Sequence, residues 1–107
     1  MKFVFSILEF HPECGAEFLK LFFDIDFKKR DCYDITIELK KPIDLQEKYQ
    51  KDFDPMLSNF NDHGIVFYHV YNQLWERKDE DEVEIIIFIP WSNIKTMYIE
   101  SIYINKK

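Results

Sequence analysis

Between Tyr33 and Lys40 the chain alternates strictly, with Tyr33, Ile35, Ile37 and Leu39 on one side and Asp34, Thr36, Glu38 and Lys40 on the other. Successive side chains of an extended strand point to opposite faces, so this segment reads as a strand with one face in a core and one toward water. The same period recurs just upstream, where Phe23, Ile25 and Phe27 alternate with Asp24, Asp26 and Lys28. The intervening Lys29-Arg30-Asp31-Cys32 is short and polar enough to turn, which predicts an antiparallel hairpin over residues 21–40. A chain that must bury several such faces has to build its fold around a sheet.

Other segments extend the pattern. MKFVFSILEF begins like a signal peptide, but Glu9 breaks the apolar run and His11-Pro12-Glu13 stands where a small-residue cleavage site belongs, so a mature strand is expected. Residues 13–22 fit two templates, because Phe18, Leu19, Leu21, Phe22 and Ile25 make a helical stripe that also continues the alternation. Ile65, Phe67, His69, Tyr71, Gln73 and Trp75 share one face of a long strand, and Arg77 to Asp81 forms a charged turn. Val83 to Trp91 is apolar on both faces, the mark of a central strand covered on both sides, with Pro90 ending the pairing. After a turn at Ser92 to Lys95, Met97, Ile99, Ser101 and Tyr103 alternate with Tyr98, Glu100, Ile102 and Ile104 to give a last strand.

One stretch keeps a different period. Leu45, Tyr49, Phe53, Met56, Leu57 and Phe60 recur every three to four residues, which predicts an amphipathic helix over 44–60. Asp44 and Glu47 supply a capping box at its start. Asp54-Pro55 breaks it, since proline lacks the amide and disfavours helical geometry at the preceding residue; a second turn capped by Asp54 then runs toward Gly64.

The expected fold is therefore α+β: a curved antiparallel sheet or partly open small barrel of five or six strands, with the broken helix packed on it. At 107 residues the chain makes one domain, and with 47% hydrophobic residues it has the material for a core. That core is drawn from Phe23, Ile25, Ile35, Ile37, Leu45, Tyr49, Phe53, Phe67, Ile85, Ile87, Ile89 and Ile99. A dozen such side chains at roughly 1.5–3 kcal/mol each offset much of the ordering cost without metal or disulfide. Cys14 and Cys32 do not make a disulfide framework, and the expected compartment is the reducing cytoplasm. The apolar run Ile85 to Trp91 is far short of the ~20 residues of a membrane helix, so no membrane partner is expected.

Charge narrows the partners further. Twenty acidic against fourteen basic side chains give a net of −6, which repels phosphate backbones, and the lysines and arginines are dispersed, so nucleic acid is not expected as a direct ligand. His11, Glu13 and Cys14, with Cys32, His63 and His69, are the residues with any metal-like character, yet zinc wants about four converging ligands and only one close pair is evident. A cysteine nucleophile would need a histidine and an oxyanion hole, and two glycines leave few places for a strained turn. Asp24 and Asp26, and the run Asp79-Glu80-Asp81-Glu82, read as solvated carboxylates rather than a hydrolytic pair. Phe67, Tyr68, Tyr71, Trp75, Trp91, Tyr98 and Tyr103 have Glu76, Glu84 and Glu100 among them, not the cations a base-stacking platform requires, so most fill the core. Trp75 and Trp91, at strand ends, are expected to be the exposed ones.

The segment VEIIIFIPWSNIKTMYIESI, residues 83–102, joins an apolar strand, a Pro-Trp-Ser-Asn corner and a strand containing Ile-x-x-Ile. It resembles the final two strands of small Sm-like barrels and looks still more like the corresponding stretch of the stringent starvation protein B adaptors. The resemblance covers about a fifth of the chain and implies a small curved sheet with an unpaired edge; it carries over no binding residue.

The functional expectation is a non-enzymatic protein-binding module, an adaptor or inhibitor without cofactor, acting through a strand edge or an acidic, aromatic-flanked surface. If strands 65–76 and 83–91 form a hairpin, Trp91 lies near Ile65 to Phe67 and Trp75 flanks the acidic turn. Trp75 with Asp79, Glu80, Asp81 and Glu82 is then a patch for a protein with a basic surface. The excess of large apolar residues also allows a homodimer. Two other classes stay open: an acidic nucleic-acid mimic that blocks a DNA- or RNA-binding enzyme, and a small-ligand-binding barrel with its pocket near Tyr49, His69 and Tyr71.

Overall fold

Alternation places Phe3, Phe5 and Ile7 on the buried side of the first strand, β1 (Lys2–Ile7), with Lys2 and Val4 exposed. In the computed structural model, which describes residues 1–8, 12–28, 31–45, 53, 55–71 and 83–103, β1 is followed by helix α1 (Gly15–Phe23). Strands β2 (Cys32–Leu39), β3 (Met56–Asn61), β4 (Gly64–Tyr71), β5 (Val83–Pro90) and β6 (Ile94–Tyr103) complete the described elements. They form two three-stranded antiparallel sheets, in the orders β1-β2-β6 and β3-β4-β5, and among the described residues these do not close into a barrel. The fold is α+β and rich in sheet, as the alternation requires.

The two sheets meet through aromatic rings. Phe3 and Phe5 of β1 contact Phe67 of β4 edge-on, with centroids 5.4 and 5.0 Å apart. Such pairs contribute about 0.5–1.5 kcal/mol beyond their buried area. Phe18 of α1 bridges both sheets, 5.7 Å from Phe5 and 5.3 Å from Phe60 of β3. The helix comes this close to β1 because residue 15 lacks a side chain: a Cβ on Gly15 would stand 2.5 Å from Ile7 Cγ2.

Residues 13–22 thus resolve in favour of helix, and the expected hairpin over 21–40 loses its first strand. The helical stripe wins because Phe18 and Leu19 are fully buried on it. α1 ends where Asp24 turns left-handed (φ 54°, ψ 40°), and the amides of Asp24 and Ile25 donate to the Lys20 and Leu19 carbonyls at 3.1 and 3.2 Å. Ile25 and Phe27 still pack against the core, but residues 24–28 pair with no strand among the described residues.

The helix expected over 44–60 is overturned in its second half, where Met56–Asn61 is strand β3; residues 46–52 and 54 lie outside the described residues. The cause is a bulge. Leu57 is registered with Phe67 and Asn59 with Val66, leaving Ser58 as an extra residue. Leu57 and Phe60, three apart, therefore both face the core, and this spacing imitates a helical period. Bulges act likewise in β6, whose register with β2 shifts twice, so that Ile94, Met97, Ile99 and Ile102 oppose Leu39, Ile37, Ile35 and Tyr33. The two-by-two phase expected for Met97 to Ile104 accordingly fails after Ile99.

Of the expected core, Ile35, Ile37, Leu45, Phe67, Ile87 and Ile89 are buried, while Phe23, Ile25, Phe53, Ile85 and Ile99 are partly buried against it; Tyr49 lies outside the described residues. Phe3, Phe5, Ile7, Phe18, Leu57 and Ile65 are core residues that the sequence reading left out.

Candidate functional site

β5 departs from what its sequence pattern predicts, and the departure bears on function. Its apolar pattern on both faces predicts a central strand, yet among the described residues it pairs with β4 alone and stands at the sheet's edge. Ile87 and Ile89 face the core, whereas Ile86 and Phe88 on the outer face are 72% and 51% exposed. They sit beside Tyr68 and Val66 of β4, and Met56 of β3 is registered with Tyr68, so the outer face of this sheet carries a continuous apolar strip. Natural edges are blunted by charge, proline or a covering loop. From Ile85 to Ile89 this one carries only apolar side chains.

The second feature lies at the end of the same sheet, where β5 runs into a single 3₁₀ turn, Trp91–Asn93. Gly64 is registered with Pro90, and the Trp91 amide donates to the His63 carbonyl at 3.3 Å, so Trp91 stands at the start of β4 as hairpin geometry requires. Its indole is not freely exposed: Nε1–H donates to the Asn61 carbonyl at 2.8 Å, and the ring lies 4.9 Å from Phe22 of α1. Phe22 in turn meets Phe60 at 5.5 Å. Between α1 and the β3–β4 turn these rings line an open groove of about 660 Å³, together with Glu17, Leu21, Asn61 and Asp62.

The turn that forms one wall is fixed by Asn61, whose Oδ1 accepts from the amides of His63 and Gly64 at 2.7 and 3.2 Å. The other wall is tied down at Cys14, which precedes α1 and donates its thiol toward the Ser58 carbonyl at 3.6 Å. Burial, with the nearby Glu17 and Glu13 charges, pushes the Cys14 thiol up, although its own backbone hydrogen bond opposes this. Burial and Asp34 push the Cys32 thiol up as well. Nucleophilic cysteines require the opposite shift.

The other candidate residues stay apart. Among the described residues no three His, Cys, Asp or Glu side chains gather as a metal site. His69 is buried 6.0 Å from the Phe53 ring, His63 is exposed on the turn, and His11 lies outside the described residues. Asp24 and Asp26 are solvated and share Lys20, at 3.1 and 3.2 Å. Trp75, Asp79, Glu80, Asp81 and Glu82, the expected partner-binding patch, lie outside the described residues, as does Tyr49 of the expected ligand pocket. The groove at Phe22, Phe60 and Trp91 escaped the sequence reading because its residues come from three separate elements. The legible signal was Asn61-Asp62-His63-Gly64, a tight-turn sequence that the helical reading absorbed as a helix end. Compared with protein-family models, with curated proteins and with solved structures, the chain matches none.

Proposed function

We propose that this domain is a non-enzymatic protein-binding module, an adaptor or inhibitor, that receives a strand of another protein along the outer edge of β5. The observation that carries this reading is a strand that is an edge strand among the described residues yet has the composition of a central one, its Ile86 72% exposed beside Phe88. Strand addition supplies main-chain hydrogen bonds for affinity, and alternate side chains for specificity. Ile86 and Phe88 are the alternate side chains on the outer face. The net charge of −6 favours a partner with a basic surface, through faster encounter more than through tighter binding. A photo-crosslinking residue at position 86 in the native host identifies the partner, and the purified pair is then reconstituted. Ile86→Lys combined with Phe88→Lys should weaken that pair by about tenfold or more while the melting temperature holds. Unchanged affinity in the double variant would overturn the reading, and crosslinks confined to a second copy would replace the foreign partner by a homodimer.

A further inference from the structure

We infer that the groove between α1 and the β3–β4 turn is a receptor for an arginine side chain of a protein or peptide, a site independent of strand addition at β5. Three observations converge on a planar cation. The floor is aromatic: Trp91, Phe22 and Phe60 follow one another at centroid distances of 4.9 and 5.5 Å, and ring faces attract cations through their quadrupoles. Two carboxylates come from different elements, Glu17 in the first turn of α1 and Asp62 at the tip of the β3–β4 turn. Neither carboxylate has an ion-pair partner among the described residues; Lys20, the cation one turn along α1 from Glu17, is turned to Asp24 and Asp26 instead. Among the described residues, then, no cation pairs with either carboxylate of this aromatic groove, and a positive group would complement it.

The groove is also set before anything binds. The indole is held through Nε1–H to the Asn61 carbonyl, the turn by the Asn61 side chain, and the start of α1 by the Cys14 thiol on the Ser58 carbonyl. A site whose walls are fixed loses little ordering entropy on binding. Arginine fits better than lysine because a planar guanidinium stacks on rings while its N–H fork meets carboxylates at its edges, whereas a compact ammonium keeps its water. Leu21, 65% exposed at the rim, offers apolar surface to the methylene stem of the incoming side chain.

The test uses the intact chain carrying Trp75→Phe, so that fluorescence reports Trp91 alone, and three peptides: acetyl-Gly-Arg-Gly-amide and its citrulline and lysine counterparts. Citrulline keeps the shape of arginine and removes the charge. The arginine peptide should shift the Trp91 emission saturably, with weak affinity that falls as salt is added. The citrulline and lysine peptides should bind several-fold more weakly, and Glu17→Gln and Asp62→Asn should each lower arginine affinity by about two- to fivefold at an unchanged melting temperature. Equal responses to arginine and citrulline, no saturable response to arginine, or parent-like affinity in both carboxylate variants would overturn the inference. Lysine binding as tight as arginine would overturn the guanidinium assignment. None of these outcomes depends on Ile86 or Phe88, so the edge-strand reading stands or falls separately.

Discussion

Cys14 shows how a single side chain is shaped by where the chain has to go. It enters α1 half-buried, with its thiol aimed at Ser58 of β3 and two glutamates nearby, and burial is the largest influence on its proton. Cys32 is governed first by burial and then by Asp34, whose carboxylate stands 3.8 Å from its sulfur. Both thiols are held above their ordinary value of 9.0, which means that the fold favours the protonated form. This contribution to stability is therefore fully present below the unfolded-state value and is lost as pH rises through the higher folded-state value. Iodoacetamide should therefore modify both residues more slowly at pH 8 than it modifies a free thiol, with the rate climbing only at more alkaline pH. The melting temperature should decline above about pH 9, and the Cys14→Ala, Cys32→Ala variant should lose part of that slope. The remainder belongs in part to Tyr33, whose phenol is raised by burial and by Asp31 3.4 Å away. Alkylation as fast as in a free thiol would show that burial does not control these groups.

At the scale of elements, what the sequence discloses depends on whether side-chain spacing survives intact. β2 alternates in sequence and was legible from Tyr33 to Leu39, whereas Cys32 was assigned to a turn; β1 was expected as a strand, but its buried face of Phe3, Phe5 and Ile7 was not identified. β3 and β6 contain bulges, and each extra residue resets the phase, turning a strand's spacing of two into a spacing of three. In β3 this made Leu57 and Phe60 look helical; in β6 it moved Ile102 into line with Met97 and Ile99. The edge position of β5 was illegible for another reason: periodicity reports which faces are apolar, not which strands lie alongside. The groove needed residues from α1, the β3–β4 turn and the end of β5, whose proximity only the fold supplies. Deletions in β6 expose the bulge directly. Glu100 is the residue without a partner between Ile99 and Ser101, so removing it joins the two registers, whereas removing Tyr98 makes Met97 and Ile99 adjacent and sends one of them toward water. Thermal denaturation should show a clearly smaller loss of melting temperature for the Glu100 deletion than for the Tyr98 deletion, and equal losses would mean that the register is not what holds β6.

For the molecule as a whole, the decisive contact is between sheets rather than within one. Hydrogen-bonded ladders hold β1, β2 and β6 together, and separately β3, β4 and β5, but no ladder among the described residues links the two groups. Side-chain packing has to do it, and Phe67 is the center of that packing: fully buried, central in its own sheet, and in edge-on contact with two rings of β1. Phe18 supplies the other bridge from the helix side. Three-stranded sheets of this size gain stability only by covering one face, so neither sheet is expected to persist without the other. Unfolding should then be a single transition in which far-UV circular dichroism and Trp91 emission, read in the Trp75→Phe background, coincide. Phe67→Ala should cost about 3–5 kcal/mol, a large share of the roughly 5–15 kcal/mol that such domains possess, and should lower the midpoint without splitting the transition. The same truncation at Phe88, half exposed on the outer face, should cost far less because little of its surface leaves water on folding. If Phe67→Ala instead separates the two signals, one sheet retains its structure alone, and the ring contacts join two independent units rather than one cooperative core.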